Sequence, residues 1–421
     1  METEGTGPSG AGGMAPEARA ALVRDRRHLH AHPELSFHEF DTAAYIAERL
    51  RQWPSFRVRT QVGGTGVVAD AGEGSGPVVL LRADMDALPI EEPAGALAST
   101  SPGRMHACGH DAHCAMLLGA AAQLDAWHRA GQLAGRVRLV FQPAEEADDA
   151  EGHTGAYHLI QAGVLDDVAL GFALHVNPEA PVGVVDLWTG YAMASCDVFE
   201  GIVMGRGGHA GYPDRALDPV WILGPVLTAL HSIVSRRVSP LDSAVITVGR
   251  VAGGTAPNVT PSDVTLNGTL RAYSPRVRQE LATELERAFQ VARALGGDYR
   301  LRIRRGEPPL HNDGRANEVL AAALAHLAPE VRVRHQPFGM AAEDFAYIAE
   351  QVPAALAFVG CGAAGQVSAL HSPAFALDER VLPLGAAWLA ESARTGLAAL
   401  REGILTDDTG STKAKEGRAG W

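Results

Sequence analysis

Val78-Val79-Leu80-Leu81-Arg82-Ala83-Asp84-Met85-Asp86-Ala87-Leu88-Pro89 passes from an apolar run straight into two aspartates. A short aliphatic, β-branched run flanked by glycines reads as a buried strand. Carboxylates just past the carboxyl end of such a strand stand where open α/β sheets hold their active sites. Alone, Asp84 and Asp86 would pass for loop and cap residues. The same pattern recurs, however. Val137–Phe141 runs into Gln142-Pro143-Ala144-Glu145-Glu146, and Ala169–Leu174 runs into His175-Val176-Asn177-Pro178. Val67–Ala69 and Ala354–Val359 read as further strands, the second followed by Ala369-Leu370-His371-Ser372-Pro373. Between them lie helical patterns: Pro16 to Trp53 with a break at His32-Pro33, then Cys114–Ala130, Ala316–Leu327 and Leu382–Leu397. The alternation predicts an α/β fold, a mostly parallel sheet flanked by helices.

Between the first two strands lies His106-Ala107-Cys108-Gly109-His110-Asp111-Ala112-His113. A histidine-rich surface loop is the plain alternative, but a thiol, imidazoles and a carboxylate at this density suit a transition metal. Cys108 and His110 flank a glycine, so a tight turn can aim both at one point. The predicted helix after His113 puts this turn at a helix N-terminus, whose dipole favours Cys108 as thiolate.

From about Val185 the texture changes. Val198–Met204, Ala244–Val248, Val264–Tyr273 and Tyr299–Arg304 read as strands, and Pro219–Arg236 and Arg276–Leu295 as helices. This is the content of a small α+β sandwich. Residues 185–304 are therefore expected to form an inserted domain, interrupting a catalytic domain of 16–184 and 305–402. Residues 1–15 and 403–421 read as a disordered leader and tail. The insertion carries two glycine-rich turns, Gly205–Gly211 around His209 and Gly253–Val259 around Asn258; neither fits a nucleotide fingerprint.

Composition narrows the function classes. The 421 residues carry a net charge of −13, which argues against nucleic-acid binding. No apolar run has the length of a membrane span, and the N-terminus lacks the form of a signal peptide. Four scattered cysteines argue against a disulfide framework and for a reducing, cytoplasmic setting.

Five ligand-type residues follow strand ends or the metal turn: Cys108, His110, Glu146, His175 and His371. That is too many for one tetrahedral ion with an open position and suits two divalent ions sharing a bridge, a role open to Cys108. Two such ions would hold a hydroxide, acidify it and polarise a carbonyl. Glu145, beside a ligand but not needed as one, is the natural proton shuttle. This chemistry hydrolyses an amide or ester.

The ordered segments LRADMDALPI, HACGHDAH, FQPAEE, LHVNP, GRGGHAGYP, GGTAPNVTP, GTLR, AAEDF and LHSP, from about Pro16 to Ala399, resemble the aminoacylase and amidohydrolase branch of metallopeptidase clan MH. That branch includes hippurate hydrolases, auxin–amino-acid conjugate hydrolases and N-acetyl-diaminopimelate deacetylases. The resemblance implies a metal-dependent amidohydrolase of N-acyl amino acids, working through a metal-bridged hydroxide. It implies Cys108 bridging two ions (Mn, Zn, Co or Ni), with His110 and His175 on one and Glu146 and His371 on the other. Glu145 would be general base and then acid, and Asp86 would orient a ligand histidine. His209 would hydrogen-bond the developing oxyanion from a partner subunit, with Asn258 and Arg271 binding the substrate carboxylate. The inserted domain would then be a lid and the seat of a homodimer. Glu151-Gly152-His153 and Met340–Glu343 depart from the glycine-rich versions of those segments, and Cys114, beside the metal turn, looks open to oxidation. A dipeptidase or carboxypeptidase on the same scaffold, or a non-catalytic metal-holding relative, are the competing readings.

Overall fold

The computed structural model describes residues 14–95, 97–363 and 368–404. All but two residues each of the expected leader and tail lie outside them. The chain divides into two compact units, one drawn from Met1–Leu187, Asn312–His335 and Ile348–Trp421, the other from Trp188–His311 and Gln336–Tyr347.

The first unit is built on an eight-stranded sheet in the order Arg57–Val62, Gly66–Ala71, Arg136–Gln142, Val78–Asp84, Val168–Pro181, Ala354–Gly362, Val184–Asp186, Arg332–Arg334. The middle four strands run parallel. Every residue of Val78–Asp84 is buried, as expected of a strand covered on both faces. Among the flanking helices, His110–Arg129 packs against Pro16–Ala31 and Leu382–Arg401. Gly119 is where they crowd: a Cβ there would lie 2.4 Å from Leu22 Cδ2 and 2.9 Å from the Ala386 Cβ.

Two local expectations are corrected. The central helix begins at His110 rather than after His113, with Gly109 as its left-handed cap. His110 and His113 are therefore three residues apart on one helical face. The strand expected to stop at Leu174 continues to Pro181, so His175 lies within it. Pairing with Ala354–Gly362 sustains it, Phe358 standing opposite His175. On the other side the ladder to Val78–Asp84 ends at Arg82 opposite Ala173. His175 thus lies two residues past the end of that ladder.

The second unit has a four-stranded antiparallel sheet, ordered Ala244–Ala252, Asp263–Ala272, Ser195–Met204, Asp298–Arg304. Helices Pro219–Arg237 and Pro275–Ala294 cover it around a separate core that includes Phe199, Leu266, Leu285 and Phe289. Each helix starts with proline after a side-chain cap, Asp218 accepting from Val220 N–H and Ser274 from Val277 N–H. The unit also takes in Gln336–Tyr347, which the sequence alone leaves with the other unit. Long-range bonds draw it there: Ala194 N–H donates to Ala341 O at 3.0 Å, and Arg271 to Met340 O at 2.9 Å. Among the described residues no helix is long and apolar enough to cross a membrane.

Candidate active site

The parallel ladder ends with Asp84 opposite Gln142, so the two chains leave the sheet side by side. Asp86 and Glu145-Glu146 follow at once, and Asp86 Oδ2 accepts from Glu146 N–H at 3.0 Å and from Ser36 Oγ at 2.7 Å. The turn at Gly109 presents Cys108 and His110 to the same place. Gly109 has φ +88°, and a Cβ on it would meet Val176 Cγ2 at 2.4 Å, so glycine alone fits. His371 arrives from beyond the Ala354–Gly362 strand, its N–H donating to Ala107 O at 2.9 Å.

Ligand atoms of Cys108, His110 and His175 lie within 4.8 Å of one another, and so do those of Cys108, Glu146 and His371. Cys108 is common to both groups. Its Sγ is 3.4 Å from His175 Nε2, and Glu146 Oε1 is 3.3 Å from His371 Nε2. Glu145 is beside them, its Oε2 3.9 Å from His110 Nε2.

Tautomers follow from partners that can only accept. His110 Nδ1 is 2.9 Å from Asp86 O, and His175 Nδ1 is 2.8 Å from Val176 O, so both Nδ1 atoms carry the proton. In the neutral rings the opposite nitrogens then offer lone pairs. His110 Nε2 and Glu146 Oε1 are buried and make no hydrogen bond among the described residues. Orphaned buried acceptors beside a thiol and an imidazole fit divalent metal ions. His113, by contrast, is fully engaged: Nδ1 donates to Asp84 Oδ1 at 2.6 Å while Nε2 accepts from Val176 N–H at 3.0 Å. It is a strut that holds the backbone next to His175. Neither this role nor that of Asp84, wedged between His113 and Arg82, was readable from the sequence.

The electrostatics correct the expected effect of the helix dipole. Burial, then Glu146, Glu145 and Asp84, push the Cys108 thiol well above its ordinary value. A thiolate here therefore needs a cation more than a helix end. Burial works to lower His110, but Asp84 and Asp86 outweigh it and lift that imidazole to about 10. The surroundings are thus arranged for positive charge at the Nε2 face. Cys114 is 1% exposed and donates to Asp84 O at 3.1 Å. Burial and then Asp84 raise its thiol well above the ordinary value, so it is shielded and protonated rather than oxidation-prone.

The other expected residues belong to the second unit. His209 and Asn258 share one short ladder: Val259 pairs with His209, and Ala210 N–H donates to Asn258 O at 3.1 Å. His209 Nδ1 accepts from Gly211 N–H at 2.9 Å, which leaves the proton on an exposed Nε2. Arg271 lies elsewhere in that unit, bonded to Met340 O.

An α/β unit gathering sulfur, imidazole and carboxylate donors beyond parallel strands, with a second glutamate beside them, has the make-up of a metal-dependent hydrolase. The chain belongs to Peptidase family M20/M25/M40, whose model matches residues 80–395, and is an amidohydrolase of that family. It is 41% identical over 392 residues to N-acetyl-L-cysteine deacetylase of Bacillus subtilis (strain 168), covering 92% of this chain and 90% of that protein. With IAA-amino acid hydrolase ILR1-like 4 of Arabidopsis thaliana it shares 37% identity, over 91% of this chain and 87% of the other. The solved structure of the YXEP protein of Bacillus subtilis, described as a dinuclear metal binding peptidase from the M20 family, matches with a TM-score of 0.80. That match has 33% identity and covers 92% of this chain and 100% of the other.

Proposed function

We propose that the protein hydrolyses the amide bond of N-acyl amino acids with two divalent ions held by Cys108, His110, Glu146, His175 and His371. The observation that carries this is the pair of ligand groups sharing Cys108, with the Glu145 carboxylate beside them, its Oε2 3.9 Å from His110 Nε2. When bound, divalent ions in such a cluster polarise the substrate carbonyl and lower the pKa of water. Glu145 takes the proton of the attacking water as the C–O bond forms. It then gives that proton to the leaving nitrogen as the C–N bond breaks. Asp86 keeps His110 in the Nδ1–H tautomer through its carbonyl, with its carboxylate at 3.3 Å. His209 donates from Nε2 to the developing oxyanion, and Asn258 and Arg271 bind the substrate's carboxylate.

The substrate class is supported by two relatives whose names specify N-acetylcysteine and amino-acid conjugates. A homodimer through the second unit is supported by its surface. The Ala244–Ala252 strand lies at a sheet edge with Val245 and Val251 exposed, and Trp221 on the covering helix is 56% exposed. An open apolar edge of this kind calls for a cover. Four unpaired cysteines accord with a cytoplasmic setting.

Glu145→Gln tests the chemistry, because it preserves shape and removes the base. We expect bound metal and fold to be unchanged and turnover of N-acetyl, N-benzoyl and indole-acyl amino acids to be abolished. Near-normal turnover would refute the assigned role. Free dipeptides belong in the same panel: faster cleavage of these by the wild-type enzyme would make it a dipeptidase instead.

A further inference from the structure

Glu145 stands between two backbone amides that are each gripped by a buried carboxyl group. Ala144 N–H donates to Glu39 Oε1 at 2.8 Å, and Glu146 N–H donates to Asp86 Oδ2 at 3.0 Å. Glu39 immediately precedes the Phe40–Arg51 helix, is 0% exposed, and accepts from Thr65 Oγ1 at 2.6 Å through its other oxygen. Ala144 itself has φ +47°, a left-handed conformation rare outside glycine. Its carbonyl accepts from Gly155 N–H at 2.8 Å, so both of its backbone groups are held. A left-handed alanine persists only where the surroundings over-determine it, and this turn decides where the next two side chains point.

We propose that Glu39 is a positioning residue of the hydrolytic site: braced by Thr65, its carboxyl holds Ala144 in the left-handed turn that aims Glu145 at the substrate and Glu146 at the Cys108 cluster. The inference rests on the roles given above to Glu145 and Glu146. Glu39 reaches Glu145 through the backbone of Ala144, whose N–H it accepts, while the Thr65 hydroxyl holds its other oxygen. A buried carboxyl is a costly way to fill space, and an apolar side chain would pack there more cheaply. Burial, followed by the nearby Asp86 carboxylate, pushes Glu39 up to about 7, so the fold retains the group against its electrostatic surroundings. What the carboxyl supplies, and an aliphatic residue could not, is the acceptor for the Ala144 amide.

The test uses the full-length, metal-loaded enzyme as wild type, Glu39→Ala, Glu39→Gln, Thr65→Val and Glu145→Gln. Four quantities are read: kcat, KM, bound metal, and hydrogen exchange of the Ala144 and Glu145 amides. Glu39→Ala is expected to lower kcat by about 100-fold, the scale of an ångström's misplacement of a catalytic group. KM and bound metal should stay near wild type, and the Ala144 amide should exchange faster. Glu39→Gln keeps the accepting oxygen and should restore most of kcat. Thr65→Val should fall between, and serves in place of Glu39→Ala if that variant does not fold. Unchanged exchange at Ala144 would overturn the proposal, and so would faster exchange with an undiminished kcat. A fully active Glu145→Gln enzyme would instead count against the base assignment, while exchange at Ala144 would still decide whether Glu39 holds the turn.

Discussion

Glu39 also makes a prediction about stability. Its carboxyl has an ordinary pKa of 4.5 and stands at about 7 in the folded protein. Between those values the folded chain keeps a proton that the unfolded chain has released. Stability contributed by this group is therefore complete below about pH 4.5 and is lost as the pH rises through 7. The shift corresponds to about 3 kcal/mol. Glu39→Gln has no such proton, so wild type should lose that much more stability than the variant between pH 5 and pH 8. Chemical denaturation of both proteins, each saturated with the same divalent ion, reads this directly. Parallel pH profiles would mean that the folded protein leaves Glu39 with its ordinary acidity.

The Gly109 turn shows how one position can serve both folding and chemistry at the scale of an element. Its left-handed backbone starts the central helix, and its missing side chain lets Val176, the residue after His175, come close. Gly109→Ala adds a left-handed penalty of about 1 kcal/mol to overpacking of about 1–3 kcal/mol, so a loss of about 2–4 kcal/mol is expected. Cys108 and His110 flank this residue, so metal affinity should fall with stability. A titration showing wild-type metal affinity in the folded variant would release the ligands from dependence on this turn. The ends of the Val78–Asp84 and Arg136–Gln142 strands were legible in the sequence, because parallel strands buried on both faces read as bare apolar runs, but the start of the central helix at His110 was not. Thus Asp86, Glu145, Glu146 and Cys108 could be placed near one another from pattern alone. The extension of His175's strand through Asn177 and Pro178 was not, since those residues read as loop and only pairing to Ala354–Gly362 keeps them extended. Nor was the hold of Glu39 on Ala144, two residues 105 positions apart that no periodicity connects. The grouping of Gln336–Tyr347 with the second unit was hidden for the same reason: its ties to Ala192, Ala194 and Arg271 are long-range.

At the scale of the whole molecule, the proposed chemistry draws on residues from both units: the ligand groups on the first, and His209, Asn258 and Arg271 on the second. If His209 serves the site of a partner subunit, two separately dead variants should complement each other. His209→Ala retains its ligands and loses the oxyanion donor, a loss of about 3–4 kcal/mol of transition-state stabilisation, or a few hundredfold in kcat. His175→Ala retains His209 and loses a ligand. In the mixed dimer, the intact ligand set of the first variant faces the intact His209 of the second, restoring one site of two. Random equal mixing makes half of the dimers mixed, so about one quarter of wild-type activity should return. Mixed dimers shown by mass yet without activity would place His209's action, if any, within its own chain. A His209→Ala enzyme active on its own would remove His209 from the mechanism altogether. The complementation therefore separates a shared site from a self-sufficient one without requiring knowledge of the natural acyl group.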